Sequence, residues 1–315
     1  MPFFSYPEVP AITNNTVKSG KSLATLAGLG AILLWALLAL LTANTEAIPP
    51  FQLTAMTFFI AFVCAAAKWL VTGQNIGALV RQPVAVWALG VCGLFGYHFF
   101  YFLALKNAPA AEASLIAYLW PLLIILFSTL LPDERLHWYH ILGGLLSLGG
   151  AGLLISKGEK VDIEPEYLLG YGAAILCAFI WSGYSVLSRK FSNISTDVIG
   201  LFCGVTALLG LIAHLVFEQT IWPQSIIQWL AVVGLGLGPV GAAFFLWDRG
   251  MKHGDIQTLG VLSYLSPLLS TLILVAMGVA SLSWSLTAGC LLITFGALVG
   301  SFKTIFEMIK GRKKI

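Results

Sequence analysis

Ten long apolar stretches run along the chain, separated by short polar breaks. Each stretch lasts about 20 residues, which is the length that an α-helix needs to cross roughly 30 Å of hydrocarbon. The breaks carry turn formers or charges, as at Pro49-Pro50 and at Pro132-Asp133-Glu134. The pattern therefore predicts ten transmembrane helices. They lie at 23–42, 51–72, 84–105, 110–131, 138–156, 168–189, 197–217, 226–249, 256–278 and 284–307.

The second half of the chain repeats the first at an offset of 146 residues. Each copy contains five apolar stretches, and because five is odd, the second copy must lie upside down relative to the first. Two inverted repeats are typical of secondary transporters, which bind substrate near the bilayer midplane between the halves. The equivalent pairs are Trp35 and Trp181, Gly90 and Gly236, Tyr118 and Tyr264, Pro121 and Pro267, Trp138 and Trp284, and Gly150 and Gly296.

The composition fits this interpretation. Hydrophobic residues make up 58% of the chain and charged residues 10%, whereas soluble domains contain about 25% charged residues. Such a chain needs lipid as its solvent, and in lipid only helices or closed barrels satisfy the backbone. A barrel would show alternating strands of about 10 residues, so we predict an all-α membrane protein whose partner is the lipid bilayer.

The repeat divides the chain into segments. The first five-helix repeat spans 21–156 and the second spans 168–309, and a charged linker at 157–167 joins them. Residues 1–20 are polar and contain prolines, so we expect a disordered tail there. Residues 310–315 form a second, basic tail.

Lys and Arg residues favour one side of the membrane. When alternate connections are assigned to one side, that side carries fourteen Lys and Arg residues and the other carries three, Lys106, Lys157 and Lys160. Because cytoplasmic loops carry the excess of these residues, we expect both termini in the cytoplasm and the linker outside. The net charge of +3 favours anionic lipid and gives no reason to expect a nucleic-acid partner.

Groups that carry ions or catalyse reactions are scarce in the apolar stretches. No Asp, Glu, Lys or Arg falls at the middle of a stretch, and Glu112 and the Asp248-Arg249 pair come nearest. The motifs G-x-S-x-G and H-E-x-x-H do not occur, and the five cysteines lack metal-ligand spacing. We therefore expect no catalytic residues, no bound metal and no cofactor.

A set of polar-tipped aromatic residues is the best candidate for a substrate site. Trp and Tyr usually collect at the membrane interfaces, but Trp35, Tyr118, Trp120 and Trp181 lie deep in their stretches, and the other candidates lie in the outer half of the third stretch. Their rings could stack a planar side chain and attract an ammonium group by about 0.5–2 kcal/mol, while hydroxyl and imidazole groups could meet a carboxylate. Core packing alone is the alternative. The candidates are Trp35, Tyr97, His98, Tyr101, Tyr118, Trp120 and Trp181.

Pro121 and Pro267 are predicted to kink their helices. Each removes a ladder hydrogen bond and frees the carbonyl four residues earlier, at Ala117 and Ser263. Such carbonyls could accept an ammonium, and the kinks could act in gating. The alternative is an ordinary kink whose carbonyl is satisfied by Ser or water.

Two segments carry a family resemblance. Residues 104–121, from Ala104 to Pro121, and their inverted partner, residues 247–267, resemble the junction of the third and fourth helices in the drug/metabolite transporter superfamily and its inverted counterpart. The likeness extends over about residues 23–305. It implies ten helices in two inverted repeats around a central cavity.

Within that superfamily, the bacterial aromatic amino acid exporters are the most similar group. Tyr118-Leu-Trp-Pro121 and Ala178-Phe-Ile-Trp181, with Tyr184, resemble their sequences. The resemblance implies an inner-membrane exporter of Phe, Tyr and Trp, with Thr and Met as further candidates.

The resulting hypothesis is an amino acid exporter that works by alternating access. Export of nucleosides or cationic drugs is a rival within transport, since a stacking pocket would serve either. An intramembrane enzyme or a scaffold is a rival of another class. The sequence leaves open the oligomeric state and whether His98 couples export to protons.

Overall fold

A computed structural model describes residues 14–132, 134–160, 164–278, 283–303 and 306. Within these ranges every regular element is a helix. Nine of the described helices are long and apolar enough to cross a membrane, and a tenth apolar helix is shorter, at 17 residues. The predicted ten-helix, all-α architecture is confirmed.

We label the membrane helices α1 to α10 in chain order. Several are interrupted by a turn or a π-helical segment. A short helix, Ile76–Val80, lies between α2 and α3. The bounds are as follows: α1, Asn14–Trp35 and Leu38–Thr42; α2, Pro50–Thr72; α3, Val84–Val91, Cys92–Gly96 and Tyr97–Asn107; α4, Ala110–Ala117 and Trp120–Phe127; α5, Trp138–Ile155; α6, Leu168–Leu187; α7, Val198–Phe217; α8, Ile226–Leu237, Gly238–Ala242 and Ala243–His253; α9, Ile256–Leu262 and Leu265–Ala276; α10, Trp284–Gly300.

Most predicted boundaries agree with these helices to within a few residues. The largest difference is at the start, where α1 begins at Asn14, inside the segment that the sequence predicted to be a disordered tail. The rest of that tail, residues 1–13, and the basic tail at 310–315 lie outside the described residues. Three residues of the linker, 161–163, also lie outside them.

Local sequence signals account for the helix ends. Pro50 occupies the first turn of α2, where its missing N–H is not needed. Gly73 ends α2 in the left-handed region, with φ of 64°, which favours glycine. The side chains of Ser225, Asp255 and Ser283 cap α8, α9 and α10 by accepting backbone N–H groups.

The two repeats pack against each other through equivalent helices. α2 contacts α7, α4 contacts α9 and α5 contacts α10, while α1 packs on α8 and its counterpart α6 packs on α3. In the α5–α10 pair, a Cβ on Gly143 would lie 2.6 Å from the Gly296 carbonyl oxygen, and one on Gly150 would lie 2.8 Å from that of Gly289. Because the earlier glycine of α5 meets the later glycine of α10, these helices are antiparallel, as an inverted repeat requires.

Helix interruptions also recur at equivalent positions. α3 contains a π-helical segment at Cys92–Gly96 and α8 contains one at Gly238–Ala242, 146 residues later in each case. α4 is interrupted after Ala117 and α9 after Leu262, next to the predicted kinks. π-Helical segments are rare and are often found at functional sites.

Polar contacts define one end of the bundle, which we call the basic face; it is the end at which α1 begins. Arg189, at the end of α6, contacts Glu134 between α4 and α5, and it donates to the carbonyl of Gly254 between α8 and α9. Lys21 pairs with Asp255 at 3.6 Å. These contacts place the C-terminal ends of α4, α6 and α8 and the start of α1 at the same end of the bundle. Successive helices therefore run in opposite directions. The other end is called the opposite face.

Candidate functional site

Four tryptophans from four different helices meet inside the bundle, and we call them the Trp cluster: Trp35 of α1, Trp120 of α4, Trp181 of α6 and Trp247 of α8. The ring centroid of Trp35 lies 6.2 Å from that of Trp120, 5.8 Å from that of Trp181 and 5.0 Å from that of Trp247. Trp120, Trp181 and Trp247 are buried, and Trp35 is half-buried. The sequence predicted three members of this cluster.

Hydrogen bonds fix two of these rings. The indole N–H of Trp35 donates to the carbonyl of Pro239 at 3.0 Å, within the π-helical segment of α8. The indole N–H of Trp247 donates to the Ser185 hydroxyl at 3.0 Å. A buried Trp N–H needs such a partner, so both rings have fixed orientations and present mainly apolar surface to the interior.

Three candidates lie along one half of α3. Tyr97 and Tyr101 stack with ring centroids 5.9 Å apart and an interplanar angle of 6°. The ring of Tyr97 also lies 5.5 Å from that of Trp181, which connects this row to the Trp cluster. The Tyr101 hydroxyl is 3.2 Å from the Ser114 hydroxyl on α4. Both tyrosines are half-buried, so their rings are accessible in part.

His98 faces aromatic rings rather than charges. Its ring lies 5.2 Å from that of Phe58 and 6.3 Å from that of Phe244. Its Nδ1 lies 2.7 Å from the Leu94 carbonyl oxygen, which can only accept, so Nδ1 carries the proton. In the neutral ring Nε2 is then a hydrogen-bond acceptor, suited to an ammonium or a hydroxyl group.

The two predicted kinks place Tyr118 at the contact between the repeats. α4 is interrupted at Tyr118 and Leu119, just before Pro121, and α9 is interrupted at the residues before Leu265. The hydroxyl of Tyr264 donates to the backbone carbonyl of Tyr118 at 3.3 Å. Tyr118 itself is half-buried.

One part of the kink prediction was wrong. The sequence suggested that Pro267 leaves the Ser263 carbonyl free to accept an ammonium group. In the structure this carbonyl accepts the backbone N–H of Ser266 at 3.1 Å. A tight turn has closed over the gap in the helix ladder, which is one of the ways in which a membrane helix tolerates proline.

The sequence interpretation missed two aromatic residues of the site, Trp247 and Phe244. The ring of Phe244 lies 6.2 Å from that of Trp35 and 5.6 Å from that of Trp181. The repeat could have revealed both, because they are the equivalents of Tyr101 and His98, 146 residues later.

The arrangement is suited to binding rather than to catalysis. It offers edge-to-face aromatic rings, a few hydroxyl groups and one imidazole, which together can hold an amphipathic molecule with a flat apolar part. Among the described residues, no group of three or more His, Cys, Asp or Glu side chains could hold a metal ion.

Comparison with known proteins assigns the chain to a family. The sequence profile of the EamA-like transporter family matches twice, at residues 22–156 and 168–302. The chain belongs to the EamA-like transporter family. The two matches coincide with the two five-helix repeats, and membership makes this multi-pass membrane protein a transporter of small molecules.

Individual relatives match along most of their length. The chain is 53% identical over 282 residues to "Aromatic amino acid exporter YddG" of Ancylobacter novellus, covering 89% of this chain and 98% of the relative. A protein of the same name from Salmonella typhimurium is 27% identical over 88% of this chain and 96% of the relative. A solved crystal structure of a 52% identical protein superposes with a TM-score of 0.85 and covers 90% of this chain and 98% of the other.

Proposed function

We propose that this protein exports amino acids across the bacterial inner membrane, with aromatic ones favoured and Thr and Met as further substrates. The observation that carries the proposal is the Trp cluster and the half-buried tyrosines beside it, at the place where helices of both repeats meet. The printed names of the relatives support an aromatic amino acid as cargo.

The rings divide into two roles. Trp35, Tyr101 and Tyr118 are half-buried and contact one side of the substrate side chain, and the buried rings of Trp120 and Trp181 contact its other side. Each favourable ring pair contributes about 0.5–1.5 kcal/mol beyond burial of its apolar area. Tyr97 and His98 meet the polar end of the substrate through a hydroxyl and an imidazole.

Alternating access explains the difference in burial. By their positions along their helices, the half-buried rings of Trp35, Tyr101 and Tyr118 come nearer the opposite face, and the buried rings of Trp120 and Trp181 come nearer the basic face. On the basic face, interhelical contacts such as Arg189 with Glu134 and Gln257 with Ser128 hold the loops together. We take this conformation to be open towards the opposite face. During transport each repeat adopts the conformation that the other repeat has here, which opens the basic face. Pro121 and Pro267 allow the half-helices to bend during this change.

The names of the relatives support export, and the orientation of the chain indicates the face at which the substrate would enter. The excess of Lys and Arg favours a cytoplasmic location for the basic face and for both termini. In an exporter with this orientation, a substrate enters from the basic face and leaves at the opposite face.

Flux through purified protein in liposomes tests this function. We expect labelled Phe to move faster through protein-containing vesicles than through empty ones, and Trp120→Ala or Tyr118→Ala to lower this flux about tenfold through the loss of ring stacking. Trp138→Ala is the matched control, because Trp138 is 71% exposed at the start of α5. Flux of nucleosides or cationic drugs without flux of amino acids would contradict the proposal.

A further inference from the structure

A buried ion pair lies on α8 between the Trp cluster and the basic face. Asp248 and Lys252 are 2% and 6% exposed, and the Lys252 ammonium lies 2.9 Å from the Asp248 carboxylate. The Thr196 hydroxyl donates to the same carboxylate at 2.7 Å, and Lys252 donates to the backbone carbonyl of Ile194 at 3.0 Å. Charged groups inside a membrane protein are costly and are usually functional.

A small cavity adjoins the pair. Its volume is about 20 Å³, which is room for about one water molecule. Asp248, Lys252, Tyr184 and Ser188 are the polar side chains in its lining, and the rest of the lining is apolar or glycine. The surface of the cavity itself is almost entirely apolar, because the two charges are turned towards each other, and the four polar residues lie at its margin.

Tyr184 is the decisive member of this lining. It is 3% exposed, and its hydroxyl has no hydrogen-bond partner among the described residues. A buried hydroxyl without a protein partner is unfavourable, so the Tyr184 hydroxyl is available to hydrogen-bond a group that enters beside it. Its ring packs directly on Gly93, where any Cβ would collide with it. The position of Tyr184 is thus set by close packing.

One residue that lines the cavity also contacts the Trp cluster. The ring of Tyr184 lies 5.3 Å from that of Trp181, and Asp248 follows Trp247 in the chain. A substrate that passed from the basic face to the Trp cluster along this side would meet the charged groups first.

We propose that Asp248, Lys252 and Tyr184 form a loading site for the zwitterionic backbone of an amino acid, an inference that rests on the proposed function. The substrate ammonium pairs with the Asp248 carboxylate. The substrate carboxylate pairs with the Lys252 ammonium and accepts a hydrogen bond from the Tyr184 hydroxyl. In the present conformation the two side chains neutralise each other, and the site forms when the basic face opens.

This arrangement selects for both charges at once. A zwitterion replaces the ion pair with two new pairs, so neither buried charge is left alone. An amine without a carboxylate would leave Lys252 unpaired, and an acid without an amine would leave Asp248 unpaired, which low-dielectric surroundings penalise strongly. The loading site would therefore exclude simple amines and acids that an aromatic pocket alone accepts.

Transport kinetics of the full chain in liposomes of known orientation test the proposal. Tyr184→Phe removes only a hydroxyl that has no partner here, so the protein should stay folded, with an unchanged apparent Tm. We expect it to raise the KM for labelled Phe presented at the basic face about tenfold. The KM at the opposite face should not change. Tyr171→Phe, near the other end of α6, is the matched control and should leave both KM values unchanged.

A second variant tests the charge selectivity. We expect Lys252→Met to lower the preference for Phe over phenethylamine, measured as inhibition of labelled Phe transport from the basic face, about tenfold. An unchanged basic-face KM in Tyr184→Phe, or equal losses for Phe and phenethylamine in Lys252→Met, would overturn the loading site. Failure of the unmodified protein to transport Phe would instead overturn the proposed function.

Discussion

Tyr264 donates its hydroxyl to the backbone carbonyl of Tyr118, its own equivalent in the other repeat, at 3.3 Å. Trp35 and Trp181, another equivalent pair, have ring centroids 5.8 Å apart. Residues that are equivalent by an inverted repeat can touch only near the pseudo-two-fold axis. The candidate site therefore lies on this axis, where any movement of one repeat relative to the other changes the contacts between them.

The two tyrosines differ in surroundings although they are equivalent in sequence. Tyr264 is fully buried, whereas Tyr118 is half-buried. We expect Tyr264→Phe to remove the cross-repeat hydrogen bond and to destabilise the protein by about 0.5–1.5 kcal/mol, seen as a lower apparent Tm in detergent. Tyr167→Phe, at the start of α6, serves as control. An unchanged Tm would show that the Tyr118 carbonyl does not need this donor.

Trp35 should govern the preference for aromatic substrates. Trp35→Ala removes a ring that touches the other three tryptophans and that is itself half-buried, so it loses stacking with a substrate ring. We expect the KM for Phe to rise about tenfold, corresponding to about 1.4 kcal/mol, and the KM for Thr to change much less. Equal changes for Phe and Thr would mean that Trp35 acts through packing of the bundle rather than through substrate contact.

The fold was predictable because its signals are local. The length of each apolar stretch and the offset of 146 residues between equivalent tryptophans are read directly from the chain. The inverted orientation of the second repeat follows from the odd number of helices in each repeat. Trp35, Trp120 and Trp181 could be selected because they lie deep in their stretches, away from the interfaces that tryptophan usually occupies.

The buried ion pair could not be predicted, because its position depends on where α8 lies relative to the membrane. The sequence ended the eighth stretch at residue 249, with Asp248 at its end, but the structure extends α8 to His253 and buries both Asp248 and Lys252. The depth of a residue in a long helix depends on tilt and packing, which hydrophobicity alone does not determine. Likewise, the turn that closes over the Ser263 carbonyl depends on local backbone geometry.

The α5–α10 contact should be intolerant of any side chain at its glycines. A Cβ on Gly143 would lie 2.6 Å from the Gly296 carbonyl oxygen, so Gly143→Ala forces two backbones apart. Overpacking of this kind costs about 1–3 kcal/mol, and we expect a lower apparent Tm. Gly149→Ala on the same helix is the matched control, because nothing lies within 4 Å of its Cβ. Equal Tm values for the two variants would contradict the close contact.

Asp255 should make stability depend on pH at the acid end. It caps α9 by accepting the Thr258 N–H at 3.0 Å, and its carboxylate lies 3.6 Å from the Lys21 ammonium. Burial raises the pKa of Asp255, but Lys21 and the Thr258 hydrogen bonds outweigh burial and hold the pKa below its ordinary value. Because the pKa is lowered on folding, the Asp255 carboxylate stabilises the folded protein fully when the pH is above its pKa in the unfolded chain, about 3.9. This stabilisation is lost as the pH falls through the pKa in the folded protein.

The measurement is apparent Tm from pH 6 down to pH 3 for the unmodified protein and for Asp255→Asn. Asn can still accept the Thr258 N–H, so the variant isolates the charge. We expect the difference in Tm between the two proteins to be largest at pH 6 and to shrink below about pH 4. A constant difference over this range would show that the Asp255 charge does not contribute.

Arg189 should stabilise the conformation in which the basic face is closed. Its Nε donates to the Met251 carbonyl at 2.8 Å, and its other nitrogens contact the Glu134 carboxylate and the Gly254 carbonyl. Only a planar guanidinium can serve these three groups together. Arg189→Lys keeps the positive charge but cannot make all three contacts at once. We therefore expect the conformation that is open at the basic face to become more populated.

Accessibility of a buried thiol reports this change. Cys203 is fully buried on α7, and labelling by a membrane-impermeant maleimide at the basic face requires opening of that side. In a variant that keeps Cys203 alone, we expect Arg189→Lys to raise the labelling rate several-fold, because the closed state loses stabilising hydrogen bonds while the open state does not. Lys190→Gln, the exposed neighbour, is the matched control. Equal labelling rates for the two variants would mean that the closure of the basic face does not depend on the Arg189 contacts.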